Sequence, residues 1–120
     1  MRKITFGTIK RAPRKKGRAV PASLPYEPWL IDQLKDPAEA AAYLEAVIED
    51  GDQAALMLAL RQIAQAQGGI AQVARKAKLT REATYKMLSK TGNPELRSFK
   101  AVLKATGLRI AVKPIEKRAG

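Results

Sequence analysis

Residues Ile70–Leu88 read IAQVARKAKLTREATYKML, and the fold turns on how that stretch divides. Val73, Ala74 and Ala77 recur at helical spacing, and Thr80 followed by Arg81-Glu82 is the signature of a capped helix start. The stretch therefore predicts two short helices joined by a tight turn, the helix-turn-helix pattern that sets its second helix in the major groove of DNA. Two helices crossing steeply need small residues at their contact, which Ala74 and Ala77 supply. Val73, Leu79, Thr84, Met87 and Leu88 are left to face a core. The turn falls on Lys78, where glycine is usual, so the lysine is expected at φ > 0 at a cost of about 1 kcal/mol.

Upstream, Asp36 followed by Pro37 and Glu39 predicts a helix ending at Gly51, with Ala40, Tyr43, Leu44, Val47 and Ile48 as its buried stripe. Asp52 predicts the cap of a second helix running to about Gln67, with Leu56, Leu60, Ile63 and Ala64 inward, and Gly68-Gly69 stops it. Downstream, Asn93-Pro94 predicts cap and first turn of another helix, with Leu96, Phe99, Val102, Leu103 and Thr106 inward and Gly107 at its end. Leu108, Ile110 and Val112 alternate with Arg109, Ala111 and Lys113, a strand pattern that Pro114 closes. A lone strand needs a partner, which can be Ile4–Thr8, another chain or water. A second copy would make a dimer, as a groove reader requires. Leu24–Lys35 gathers Tyr26, Trp29, Leu30, Ile31 and Leu34 around Pro25 and Pro28, which disfavour a helix before about residue 28. It reads as a lid over the core or as a segment that binds a partner.

Charge separates the chain into three parts. Residues 1–23 hold eight Lys or Arg and no acid, and read as a flexible basic arm. Residues 24–60 hold eight acids against Lys35 alone, whereas residues 61–120 hold fourteen bases and three acids. A coat for nucleic acid alone has no use for an acidic middle third, so two oppositely charged surfaces imply two partners. On the second helix of the opening motif, Arg81, Glu82, Tyr85 and Lys86 point outward. Arg suits guanine, Glu the cytosine amino group, and Tyr and Lys the phosphates. Thr80 brings the first helix amides towards a phosphate, and Arg75, Lys76, Lys78 and Lys90 flank the face as backbone neutralisers.

Composition excludes several classes. With no cysteine and no histidine, the chain has neither a disulfide framework nor the usual zinc ligands, and the nucleophiles and bases left to an enzyme are few. No metal, no cofactor and no catalytic residue is assigned. The longest apolar run, Ala54–Leu60, is far below a membrane span, and the N-terminus lacks the apolar core of a secretory signal. A cytoplasmic protein is expected, with no membrane partner.

From Trp29 to Pro114 the chain resembles the HigA-like addiction-module antidote proteins, small Cro/repressor-type antitoxins of bacterial type II toxin–antitoxin modules. The matching elements, in order, are AAYLEAVIEDGD (Ala41–Asp52), LTREATYKMLSKTGNPEL (Leu79–Leu96) and GLRIAVKP (Gly107–Pro114). The resemblance implies an all-α fold, a lambda-repressor-like helix-turn-helix bundle; the residues read above make this about five helices with a short C-terminal strand, and add the flexible basic N-terminal arm, which the resemblance does not cover. It implies a bacterial protein on double-stranded operator DNA, with Thr80, Arg81, Glu82, Tyr85 and Lys86 on the recognition face; the strand and groove readings above make a cytoplasmic homodimer the expectation. It also implies a small basic RelE/HigB-like toxin that cleaves mRNA, encoded by the adjacent gene, and repression of the shared operon. Charge complementarity to that toxin points to Tyr26, Trp29, Leu30, Asp32, Glu39, Glu45 and Glu49. The expected organisation is an arm over 1–23, a Pro/aromatic lead-in over 24–35, the helical DNA-binding domain over 36–114 and a tail over 115–120. The alternative is a stand-alone helix-turn-helix transcriptional regulator without a toxin.

Overall fold

A computed structural model describes residues 26–116. The arm over 1–23, with its Ile4–Thr8 segment, and the end of the tail lie outside the described residues. Six helices follow one another among them: α1 (Tyr26–Gln33), α2 (Pro37–Asp50), α3 (Gln53–Ala66), α4 (Ile70–Ala77), α5 (Arg81–Met87) and α6 (Leu96–Ala105).

Local chemistry sets most of the boundaries. The Asp36 carboxylate accepts the Ala38 amide at 3.0 Å, with Pro37 at the first helical position, and Gly51 closes α2 in the left-handed region at φ 78°. One Asp52 oxygen accepts the Ala54 and Ala55 amides at 3.0 and 3.3 Å and starts α3. The Thr80 hydroxyl accepts the Ala83 amide at 3.0 Å and starts α5. Between α4 and α5, Lys78 adopts φ 61°, ψ 40°. Its amide reaches the Arg75 carbonyl at 3.2 Å while that of Leu79 reaches Ala74 at 2.9 Å, the paired bonds of a left-handed helix stop.

Helix α3 is the spine. It packs on α1, α2 and α4, and α4 in turn packs on α5 and α6. Leu30, Leu34, Ala40, Leu44, Met57, Ala59, Leu60, Ile63, Leu88 and Leu103 form the main core. A second cluster of Ala64, Val73 and Val102, bordered by Ile70, Leu79 and Met87, seats the α4–α5 pair. Burial of each Leu, Ile, Val or Met side chain among these contributes roughly 1.5–3 kcal/mol. One polar chain crosses these helices: the Tyr43 hydroxyl donates to Gln62 Oε1 at 2.6 Å, and Gln62 Nε2 donates to Glu27 at 3.0 Å, tying α2, α3 and α1 together. Burial pushes the Tyr43 phenol above its ordinary value, and neighbouring Tyr26 and Glu27 add to the rise.

Several expectations need correction. There is a sixth helix because Pro28 lies in the first turn of α1, where its missing amide hydrogen is not needed. Helix α6 begins at Leu96 with Glu95 at its cap, not at Asn93-Pro94. The Gln53 amide holds the Gly92 carbonyl at 3.1 Å, and residues 93–95 stay irregular before the helix starts. Leu96 consequently lies outside the core, as does Ile48, the outermost member of the α2 stripe. No C-terminal strand forms. Residues 109–116 are exposed, and among the described residues none offers Arg109–Lys113 a ladder.

Two stability effects follow. Lys78→Gly should raise the melting temperature by the equivalent of up to about 1 kcal/mol, and Lys78→Val should lower it, both read by circular dichroism. An acid whose folded pKa is raised contributes stability that is complete below its unfolded value, here near 10.0, and that is lost as pH rises towards the folded one. Denaturant midpoints should therefore fall above about pH 10, and Tyr43→Phe should remove that alkaline component while costing about 1 kcal/mol at neutral pH.

Candidate nucleic-acid interface and acidic face

Helix α5 presents its polar residues as the spacing expects. Thr80, Arg81, Glu82, Tyr85 and Lys86 are all exposed, while Thr84, on the opposite side, is fully buried and returns its hydroxyl to the Thr80 carbonyl at 2.8 Å. Arg81 and Tyr85 stand one turn apart, with the guanidinium 5.5 Å from the ring centroid. Such a cation–π contact limits the rotamers of Arg81 and keeps its donor edge free. Arg75, Lys76, Lys78 and Lys90 are exposed around this face, and an Arg75–Gln72 hydrogen bond steadies the first of them. Residues 70–90 hold six bases and the single acid Glu82.

The orientation of α5 is set from its C-terminal end. The Arg61 guanidinium, on α3, donates to the Leu88 carbonyl at 2.5 Å. Gln53, two turns earlier on α3, grips Gly92. Gly92 is itself packed so closely that a Cβ there would lie 1.9 Å from the Met87 carbonyl oxygen. Arg61 is thus a positioning residue that sequence reasoning missed: its spacing on α3 marks it as polar, and only the fold reveals the carbonyl it serves. A second omission is legible in retrospect. Arg97, Lys100 and Lys104 recur at helical spacing on α6 and are all exposed, giving that helix a basic outer line opposite its buried Val102, Leu103 and Thr106.

The acidic region occupies other helices. Tyr26 is exposed and Trp29 half-buried on α1, with their rings 6.3 Å apart. Leu30 is buried among the core leucines and serves the packing of α1. Asp32 is exposed and pairs with Lys35 at 3.4 Å, an exposed contact worth little. Glu39 is partly buried, whereas Glu45 and Glu49 are exposed one turn apart on α2. Ile48, at 51 % exposure, lies beside these two acids. An apolar side chain framed by carboxylates suits a basic partner with an apolar anchor. Among the described residues no three His, Cys, Asp or Glu side chains gather as metal ligands, and no helix is long and apolar enough to cross a membrane.

Comparison with known proteins adds a family. A family profile described as "probable addiction module antidote protein" matches residues 29–114. An uncharacterized protein of Haemophilus influenzae is 34% identical over 83 residues, spanning 69% of this chain and 84% of that protein. No solved structure matches.

The packing at Gly92 yields a direct test. Gly92→Ala must push the Met87 carbonyl aside and should cost at least about 2 kcal/mol, a melting-temperature fall of roughly 10 °C or more in a domain of this size. An unchanged melting temperature would show that the end of α5 is not clamped.

Proposed function

The chain belongs to the family of probable addiction module antidote proteins, and from that membership we propose that it is an antitoxin that also represses its own operon. In this reading the α4–α5 pair is a helix-turn-helix and two copies bind an inverted-repeat operator. Arg81, Glu82 and Tyr85 face base edges and sugar-phosphate, and Arg75, Lys76, Lys86 and Lys90 neutralise phosphates. The partner is a small basic toxin of the RelE/HigB kind that cleaves mRNA, encoded next door in a bacterial cytoplasm. Its seat is the acidic side of α1 and α2: Tyr26, Trp29, Asp32, Glu39, Glu45 and Glu49, with Ile48 as the apolar centre. Binding and neutralisation need no catalytic group, metal or cofactor.

The observation that carries the DNA half is the exposed Arg81–Tyr85 pair on a helix whose other face is buried, within a surface of six bases. The family description carries the antitoxin half. A stand-alone transcriptional regulator would share the first and lack the second.

Co-expression with the adjacent open reading frame should restore growth and give a complex that co-purifies. A harmless neighbour, or two proteins that elute apart, removes the antitoxin half and leaves the stand-alone regulator. A promoter fragment with an inverted repeat should shift in a gel. Arg81→Ala should weaken it by about 1–3 kcal/mol per half-site and relax base preference there. Lys76→Ala should weaken all sequences alike and lower the salt slope by about one. Equal affinity for random DNA, unaffected by Arg81→Ala beyond the salt effect, would reduce the protein to a non-specific binder.

A further inference from the structure

The segment after α6 has a recognisable surface, and among the described residues nothing pairs with it. The last turn of α6 closes on Gly107 at φ 88°, with the Leu108 amide returned to the Leu103 carbonyl at 2.8 Å. Leu108 packs against the main core. Beyond it the chain leaves the helices, and Ile110, Val112 and Ile115 are exposed at 43%, 92% and 91%. Three branched apolar side chains on one short segment, next to open backbone donors and acceptors, are a liability unless something pairs with them.

We propose that Leu108–Lys113 pairs antiparallel with the same segment of a second copy, with Ile110 on the two-fold axis. Side-chain alternation and charge select this register. A symmetric antiparallel pair that keeps like faces together must centre on a residue. Centred on Ile110, it sets Ile110 against Ile110 and Leu108 against Val112 on one face. On the other face Arg109 meets Ala111, and Lys113 lies at the ladder's end beside Gly107. Centred on Ala111, it would set Arg109 against Lys113, like charges directly opposed, and Leu108 against Pro114. Centred on Val112, it would set Ile110 against Pro114, which has no amide hydrogen to give. A two-stranded ladder alone is marginal in water, but each strand starts from a Leu108 held in its own core, so pairing draws two helical bodies together. The basic side chains Arg109 and Lys113 make the segment a poor seat for a basic toxin. The inference supplies the meeting surface for the two copies of the operator reading, and its test needs neither DNA nor toxin.

The full chain, which has no native cysteine, makes the register directly readable. Ile110→Cys should form a disulfide-linked dimer under mild oxidation, because the two Cα atoms would lie ~5 Å apart. Val112→Cys would place its equivalents ~14 Å apart and should stay uncrosslinked. By sedimentation the unmodified protein should be a dimer, and Ile110→Asp a monomer with unchanged helical circular dichroism. Removing residues 1–23 should leave the dimer intact. A monomeric unmodified protein, crosslinking at 112 in place of 110, or a dimer that survives Ile110→Asp would overturn the proposal. So would dissociation on loss of residues 1–23, which would assign the contact between the two copies to the arm. Loss of operator binding with these results intact would leave the interface standing.

Discussion

The grip of α3 on the far end of α5 is the contact on which the candidate surface depends. A seven-residue helix has too few internal hydrogen bonds to hold itself together in water, so α5 takes its order from its ends and its buried side. Thr80 caps the start, Arg61 and Gln53 hold the Leu88 and Gly92 carbonyls at the finish, and Thr84 and Leu88 are buried between. The charge-assisted bond from Arg61 is the strongest of these, and it costs little because the guanidinium is only partly withdrawn from water. Because α3 also carries α1 and α2, the same helix carries both the basic and the acidic surfaces.

That arrangement keeps opposite charges on different helices. The acids of the middle third lie mainly on α1, α2 and the turn before α3, while the bases of the described residues, Lys35 apart, begin at Arg61 and run through α4, α5 and α6, with Glu82 the one acid on those helices. Asp32–Lys35 is an exposed pair between close neighbours within the acidic region. Solvent screening over about 8–10 Å at physiological salt lets each surface present its own sign to a partner at short range. Steering at longer range is dominated by the net charge of +12.

Much of this was legible in the residues because caps are local. Asp36-Pro37, Asp52 and Thr80 each satisfy amides two or three positions on, and left-handed Lys78 was demanded by the turn alone. The misreadings were all non-local. Pro28 disrupts a helix interior but not a first turn, and sequence cannot say which of these it occupies. Asn93-Pro94 has the chemistry of a helix start, yet the helix begins at Leu96, and the residue just before Asn93 is held by Gln53, thirty-nine positions away. Ile48 follows the helical stripe but lies at its margin, where the hairpin with α3 no longer covers it. The alternation at 108–113 forms no strand, because a ladder is a property of two segments and none of the described residues pairs with this one. For the candidate site, the face of α5 was readable from its period, whereas Arg61 acts on a carbonyl that no spacing rule connects to it. The burial of Leu30 likewise depends on how α1 lies on α3.

Lys78 illustrates how fold and surface divide the demands on a single residue. The turn needs a left-handed backbone, and its two closing hydrogen bonds run from main-chain amides to main-chain carbonyls, so any side chain that tolerates φ near 60° completes them. Glycine would do so without strain, and lysine gives up about 1 kcal/mol against a total stability of order 5–15 kcal/mol. What lysine adds is an exposed cation beside Arg75 and Lys76, at the corner where α4 ends and α5 starts. The side chain itself is exposed, so the charge stands in solvent and not in the core. In the operator reading proposed above, its value lies outward, towards a polyanion whose attraction for each added cation grows as salt falls. The backbone at 78 answers to the helix pair, and the side chain answers to whatever lies against it.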